Sequence, residues 1–105
     1  MSYSILIIES TFSSEKEAQD VASFLLKTKI AACVQVYIVN SRFYWDNKLQ
    51  SEAEWSCKIK SLPRHKIDLL NAIQERHSYD VPEIIVYDVH TTQNYYDWVV
   101  ATLSR

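Results

Sequence analysis

The segment from His77 to Glu83 gathers side chains that can bind metals or exchange protons: an imidazole, a phenol and two carboxylates lie within seven residues. Neutral imidazole is a common ligand of divalent transition metals, and carboxylate oxygens add further donors. Pro82 fixes its own φ and favours an extended conformation at the residue before it. We therefore expect these groups at the entrance of a strand, where His77, Asp80 and Glu83 are candidate metal ligands.

Cys33 is a fourth candidate ligand. The predicted hairpin register places Lys60 opposite it, and a nearby ammonium lowers the pKa of a thiol and favours the thiolate that binds soft metals. The alternative is a small buried hydrophobic residue, which is the commoner role of a free cysteine and the one that the sequence favours. Cys57 is expected to pack in the core.

The other candidate ligands also have ordinary structural roles that compete with metal binding. His77 can simply end a helix, where its positive form interacts favourably with the helix dipole, and this is the favoured reading of a lone histidine. Glu83 can accept a hydrogen bond from the backbone or from Tyr79 and hold the segment in place, or it can line a cleft between subunits. His65 and His90 are assigned to solvent or to local hydrogen bonds.

Composition excludes several classes of function. The 105 residues are 48% hydrophobic with interspersed charges, as expected for one globular domain over residues 1–105. A net charge of −2 without a long basic run argues against nucleic-acid binding. The apolar stretch Ile5 to Ile8 is far too short for a membrane span, so no membrane contact, a cytoplasmic location and free cysteines are expected. The chain has no glycine, which excludes glycine-dependent phosphate loops.

Hydrophobic periodicity predicts four strands and three helices. The two-residue turn between the second and third strands sets their register, so that Val34 faces Ile59, and a bulge is expected near Asn40-Ser41, where the apolar alternation switches sides. The predicted elements are a strand over Tyr3–Ser10, a helix capped by Ser14 and ending at Lys27 or Lys29, strands over Ala32–Trp45 and Lys48–Leu62 joined at Asp46-Asn47, a helix from Pro63 to Arg76 or His77, a strand over Glu83–Val89, and a helix capped by Asn94.

The order βαββαβ with an additional C-terminal helix predicts an α+β, ferredoxin-like sandwich, in which two helices cover one face of a four-stranded antiparallel sheet and the first and third strands are central. The other face would remain uncovered. An apolar patch of this kind usually marks an interface, so the sequence predicts a homo-oligomer. Hairpin strands of about fourteen residues, against a usual five or six, predict a tip that projects toward a neighbouring subunit. The side chains expected on the uncovered face are Ile5, Ile7, Tyr37, Val39, Ile85 and Tyr87.

Several ordered motifs extend along nearly the whole chain: Ala31-Ala32-Cys33-Val34, Tyr44-Trp45 with Lys48, Lys58-Ile59-Lys60, His77-Ser78-Tyr79-Asp80-Val81-Pro82-Glu83-Ile84 and Tyr96-x-Trp98. Together they resemble the CutA family of divalent-cation-tolerance proteins. The resemblance implies a PII-like homotrimer that is cytoplasmic in bacteria and that binds or responds to copper and other divalent metal ions. A divalent metal ion such as copper is the candidate cofactor, without being required for folding. We expect no enzymatic activity.

The chain departs from this family at two proposed metal ligands. In bacterial members a second histidine precedes the one that matches His77, and a cysteine ends the first strand. Those positions hold Arg76 and Ser10 here. Because arginine does not ligate metals and serine is a poor substitute for a thiolate, the resemblance argues against strong copper binding.

Two other classes of function stay open on the sequence. A PII-like trimer can bind a small ligand or a partner protein at clefts between its subunits, and Lys58, Lys60, Tyr44, Trp45 and Glu83 would lie near such a cleft. A hydrolase of the acylphosphatase type shares the sandwich but needs a phosphate cradle made by a backbone loop. No glycine-bearing loop follows the first strand, which makes the hydrolase the weakest of the three.

Overall fold

The computed structural model describes residues 3–104, so Met1, Ser2 and Arg105 of the predicted domain 1–105 lie outside the described residues. The sheet has the order β2-β3-β1-β4 with antiparallel neighbours, which confirms the ferredoxin-like topology with the first and third strands in the centre. The elements are β1 (Tyr3–Phe12), α1 (Glu15–Lys27), β2 (Cys33–Trp45), β3 (Lys48–Ser61), a 3₁₀ turn (Pro63–His65), α2 (Lys66–Arg76), β4 (Ile84–Thr91) and α3 (Gln93–Leu103).

Helix α1 begins at a side-chain cap and ends at a residue with positive φ. The Ser14 hydroxyl oxygen accepts a hydrogen bond from the Glu17 N–H at 3.1 Å, as the predicted N-cap requires. The helix ends with Lys29 in the left-handed region, at φ 62°, where its N–H donates to the Leu26 carbonyl at 3.1 Å. Glycine usually occupies this position after a helix, so a lysine here carries a steric cost.

Helices α1 and α2 cover one face of the sheet and enclose its main core. The inward-facing residues of β1 and β3 are fully buried there, and the apolar face of α1 packs against them. The buried core residues are Leu6, Ile8, Phe12, Ala18, Val21, Leu25, Ala31, Cys57, Ile59, Leu69, Ala72 and Ile73.

The hairpin register is confirmed over its whole length, and the predicted bulge near Asn40-Ser41 is wrong. Asn40 pairs with Ala53 and Ser41 with Glu52, without interruption. Asp46 and Asn47 both have positive φ, 53° and 59°, the conformation of a tight turn whose twist matches the strands. The alternation of apolar and polar residues changes sides here because β1 ends before this part of the hairpin. Neither face of the two strands therefore packs on a core.

Helix α3 packs against the second face of the sheet, which corrects part of the expected exposure. Ile5 is only 3% exposed, because it lies in a smaller core with Val99 and Leu103 of α3. The helix begins two residues earlier than predicted: Thr92, rather than Asn94, is its N-cap and accepts a hydrogen bond from the Tyr95 N–H at 3.3 Å.

The remainder of the second face is uncovered in the single chain, as predicted. Tyr37, Ile85 and Tyr87 are exposed by 39%, 41% and 41%. Together with the half-buried Ile7 and Val39, they form a surface that we call the open face. The open face is therefore smaller than the sequence predicted, since α3 covers its Ile5 end.

The β2–β3 hairpin projects beyond the sheet. The last pair between β1 and β3 joins Phe12 to Trp55, so residues 40–53 form a two-stranded ribbon without a third strand. Tyr44 and Trp45 at its tip are 76% and 66% exposed. Ile38 is also largely exposed, although it alternates with Val34 and Val36, which pack against the main core. The radius of gyration is 14.7 Å, against about 13 Å for a compact domain of this length. Within residues 3–104 no helix is long and apolar enough to cross a membrane.

Candidate functional site

Residues 77–79, which we call the anchored segment, follow α2 and are held at several points by other elements. The first anchor is the Glu17 carboxylate, which accepts hydrogen bonds from the Ser78 N–H at 2.8 Å and from the Ser78 hydroxyl at 3.0 Å. A capping box would instead direct Glu17 back to the start of its own helix. Only the serine half of that motif forms, because the Glu17 side chain holds the anchored segment.

The imidazole of His77 lies between β1 and the anchored segment. It stacks on the Phe12 ring with centroids 4.4 Å apart, and its Nε2 lies 3.2 Å from the Ser10 hydroxyl oxygen. The Tyr79 N–H donates to Nδ1 at 3.2 Å. Since a backbone N–H can only donate, Nδ1 is unprotonated and the ring proton is on Nε2, directed at Ser10. Both ring nitrogens therefore have protein partners.

The surroundings of His77 favour its neutral form. Burial is the main cause that lowers the pKa of this imidazole, and it outweighs the opposing influences of the Glu17 carboxylate, a backbone hydrogen bond with Thr11 and the Glu54 carboxylate. Protonation would also place a second proton on Nδ1, opposite the Tyr79 N–H. His77 is thus held as a neutral hydrogen-bonding residue at the end of α2.

The third residue of the anchored segment reaches a buried carboxylate. The Tyr79 hydroxyl donates to Glu54 Oε2 at 2.7 Å, and Glu54 is only 7% exposed. Burial and this bond raise the pKa of Tyr79 well above its ordinary value. The sequence predicted a possible bond from Tyr79 to Glu83, and that partner is wrong. Strand alternation places Glu54 on the same side of β3 as Lys58, with no feature of the sequence that marks it as buried.

The four predicted metal ligands are not brought together within one chain. Asp80 and Glu83 are exposed beyond the anchored segment, and His77 lies on the helix-covered side. Cys33 lies in the row of Lys60 and Ile7, three residues along β1 from Ser10, or about 10 Å at the usual rise per residue. Among the described residues no group of three or more His, Cys, Asp or Glu side chains can hold a metal ion.

The two cysteines are free and differ in their surroundings. Cys33 is half-buried and lies opposite Lys60, as predicted. Cys57 is fully buried and its thiol donates to the Ala18 carbonyl at 3.6 Å, while burial raises its pKa to about 11. Cys57 is therefore a core residue, as predicted, and Cys33 is the thiol with access to solvent.

The remaining histidines make local contacts, as the sequence predicted. Nδ1 of His90 lies 3.4 Å from the Ser4 hydroxyl oxygen. Nε2 of His65 accepts a hydrogen bond from Arg64 Nε at 3.3 Å. Neither lies near the anchored segment in the chain. His77, in contrast, stacks on Phe12 of the main core.

The open face carries a carboxylate that the sequence analysis did not single out. Glu9 lies in the centre of β1, and the Tyr37 hydroxyl donates to it at 3.3 Å. A hydrogen bond to Glu9 is also the main cause that raises the pKa of Tyr87. Strand pairing could have located this group, because Lys58 and Ile85 flank Glu9 in the register.

A sequence profile described as CutA1 divalent ion tolerance protein matches residues 6–102 of the chain. The chain belongs to the CutA1 family. Proteins named divalent-cation tolerance protein CutA are 35% identical in Pectobacterium atrosepticum and 33% identical in Escherichia coli, each over 100 residues. These alignments cover 93% of this chain and 91% and 89% of the two relatives.

Solved CutA structures have the same fold. The chain matches the periplasmic divalent cation tolerance protein CutA from Archaeoglobus fulgidus with a TM-score of 0.90 and 27% identity, covering 95% of this chain and 99% of the other. The match to CutA1 from Pyrococcus horikoshii has a TM-score of 0.89 and 28% identity, with the same coverage. The CutA resemblance predicted from the ordered motifs is thus confirmed, and so is the fold.

Proposed function

We propose that this protein acts in divalent-cation tolerance as a cytoplasmic homotrimer that binds or responds to copper and other divalent metal ions, and that it is not an enzyme. Family membership and the names of the relatives support the cation role. The half-covered sheet is the observation that supports assembly, and two free cysteines agree with a reducing compartment.

Assembly would cover the apolar side chains that one chain leaves in contact with water. Tyr37, Ile85 and Tyr87 lie together on the open face, and aromatic side chains are common in the centres of subunit contacts. The projecting ribbon adds exposed Tyr44 and Trp45, which can reach a neighbouring subunit. Three copies would thus cover these apolar and aromatic side chains and form shared clefts between the subunits.

Size-exclusion chromatography with light scattering tests assembly. We expect three times the 12.3 kDa of one chain for the wild type. Tyr87→Glu would bury an unpaired charge in the contact and should reduce the mass toward one chain. The control is Ile67→Glu, which adds the same charge at a position of α2 that is 72% exposed. A monomeric wild type would refute assembly, and a trimeric Tyr87→Glu would refute the proposed contact.

The proposed metal ligands are His77, Cys33, Glu83 and Asp80, and the geometry ranks them. A metal on Nε2 of His77 would displace the proton that points to Ser10, and moving that proton to Nδ1 would break the bond from the Tyr79 N–H. Among residues 3–104 the Cys33 thiol has no such set of bonds, and soft metals favour thiolates. Cys33 is therefore the ligand that we rank first, with the exposed carboxylates as ligands that adjoining subunits can bring to it.

Calorimetric titration with Cu²⁺ tests this ranking. We expect Cys33→Ser to weaken binding by at least about tenfold, because it removes the soft donor. His77→Gln should weaken it less, and Cys57→Ser is the control, since that thiol is buried. The absence of saturable copper binding by the wild type would contradict direct metal binding. An equal loss in Cys33→Ser and His77→Gln would contradict the ranking.

A second candidate function is a PII-like sensor that binds a small ligand or a partner protein at clefts between subunits. The observation that favours it is the polar cluster on the open face, where Glu9 is held by Tyr37 and flanked by Lys58. A purely structural contact would have little use for ionised groups in the middle of its surface.

A further inference from the structure

Two lysines lie side by side on the open face of the central strand β3. Lys58 and Lys60 are both half-buried, and their alternation directs them to the same side of the sheet. Their Cα atoms are separated by about 6.6 Å at the usual rise of a strand. Lys60 Nζ lies 5.7 Å from the centroid of the Tyr95 ring of α3. The ammonium group of Lys60 therefore lies at the edge of the region that α3 covers.

Neither ammonium has a carboxylate partner among residues 3–104. The ion pairs in this part of the chain are Lys16 with Asp20 and Arg76 with Glu75, both outside the sheet. Glu9 lies opposite Lys58 in the register, but its carboxylate accepts from the Tyr37 hydroxyl rather than forming an ion pair within 4.0 Å. The two positive charges of the lysines therefore exceed the single negative charge of Glu9.

Partly buried ammonium groups favour a nearby anion, because burial removes part of their hydration. The surface around them has an apolar neighbour, since Ile7 lies between Lys60 and β4 in the sheet. The phenols of Tyr37 on β2 and Tyr87 on β4 lie on opposite sides of β3 and bond to Glu9. The two ammonium groups therefore remain the donors for an anion.

We propose that Lys58 and Lys60 form a binding site for a small anion whose charge is carried by carboxylate or phosphate oxygens. The site shares the open face with Cys33, which lies opposite Lys60, and it rests on the second candidate function, for which it supplies a ligand class. One acidic group lies between the two ammonium groups, which donate to it. The Glu9 carboxylate limits the charge that the site tolerates, which favours one acidic group at the lysines over several.

Titration of the purified protein with succinate and, separately, with inorganic phosphate tests the proposal at low ionic strength. We expect saturable binding of at least one of them, and binding of only one identifies the acid. Lys58→Gln and Lys60→Gln should each weaken binding by about ten- to a hundredfold, because each removes a charged donor. Glu9→Gln should strengthen binding, since it removes a negative charge beside the site.

Lys27→Gln is the matched control, because it removes an exposed ammonium from α1 on the other side of the sheet. Far-ultraviolet circular dichroism and light scattering establish that each variant keeps the fold and mass of the wild type. The proposal is overturned if neither anion binds, as expected when carboxylates of another subunit already pair with the lysines, or if Lys27→Gln loses as much affinity as the two sheet variants. A copper titration of Lys58→Gln keeps this outcome separate from the cation role, because Lys58 pairs with Gln35 rather than with Cys33.

Discussion

The two faces of the sheet show how one set of strands serves two purposes. On the face covered by α1 and α2, the inward positions of β1 and β3 are apolar and fully buried, as for Ile8 and Ile59. On the other face the same strands carry Ile7, Glu9, Lys58 and Lys60, of which none is fully buried. The first face encloses the main core of the chain, and the second carries half-buried ionisable side chains.

Helix α3, rather than the sheet itself, determines which part of the second face is buried. This helix covers the second face only at the end near Ile5 and leaves the centre open. A longer or shifted helix would bury the two lysines and Glu9 in an apolar contact, where unpaired charges are costly. The position of α3 therefore leaves these charged side chains uncovered in the single chain.

The largest expected difference is between two isoleucines on opposite faces. Ile59→Ala should lower the free energy of unfolding by about 2–5 kcal/mol, because it opens a cavity in the main core. Ile85→Ala should lower it by about 1 kcal/mol or less, since Ile85 is 41% exposed. Chemical denaturation at one protein concentration measures both. Equal losses would contradict the comparison, and a loss at Ile85 that grows with dilution would show that subunits cover it.

An intermediate effect is expected where the anchored segment meets Glu54. Tyr79→Phe removes the hydroxyl that donates to this buried carboxylate and should cost about 1–3 kcal/mol of unfolding free energy. Tyr44→Phe removes a hydroxyl at the exposed tip and should change stability by less than about 0.5 kcal/mol. Thermal or chemical denaturation of the two variants gives the comparison. Similar values for both would mean that the bond to Glu54 is dispensable.

The smallest effect is a dependence of stability on pH through His77. The folded chain has a lowered pKa at this imidazole, whereas the unfolded chain has the ordinary value of about 6.5. The unfolded state therefore binds more protons between the two values, and this contribution to stability is complete above pH 6.5 and decreases as the pH falls through the lowered pKa. Denaturation across pH 5 to 8 with a chelator present should show this slope in the wild type and in His90→Gln. His77→Gln should have a smaller slope, which retains the contribution of His65, whose pKa is also lowered, mainly by burial.

Most of the fold could be predicted because local patterns and topology agreed. The alternation in the hairpin and its two-residue turn specified a register that holds from Cys33 to Trp45. Alternation failed in the projecting ribbon, since it reports burial and neither side of the ribbon is buried there. The packing of α3 on Ile5 was missed because the apolar content of a helix does not specify which surface it meets.

The site was less predictable, for a physical reason that the anchored segment illustrates. The sequence placed His77 at the end of a helix and gave Tyr79 a carboxylate as a candidate partner, but the partners Ser10 and Glu54 come from two separate strands. Spacing along the chain predicts neighbours on one element, whereas these bonds cross between elements. The same limitation hid Glu9, which becomes notable only beside Tyr37.

The ribbon of residues 40–53 has a consequence for how dissociation of an assembly could be observed. Two strands alone are marginally stable in water, and this pair extends beyond Phe12 without the support of β1. In a separated chain its amide hydrogens would exchange with solvent faster than those of the four-stranded part. The turn-proximal amides are therefore natural reporters, whose protection measures contact with another copy without any attached label.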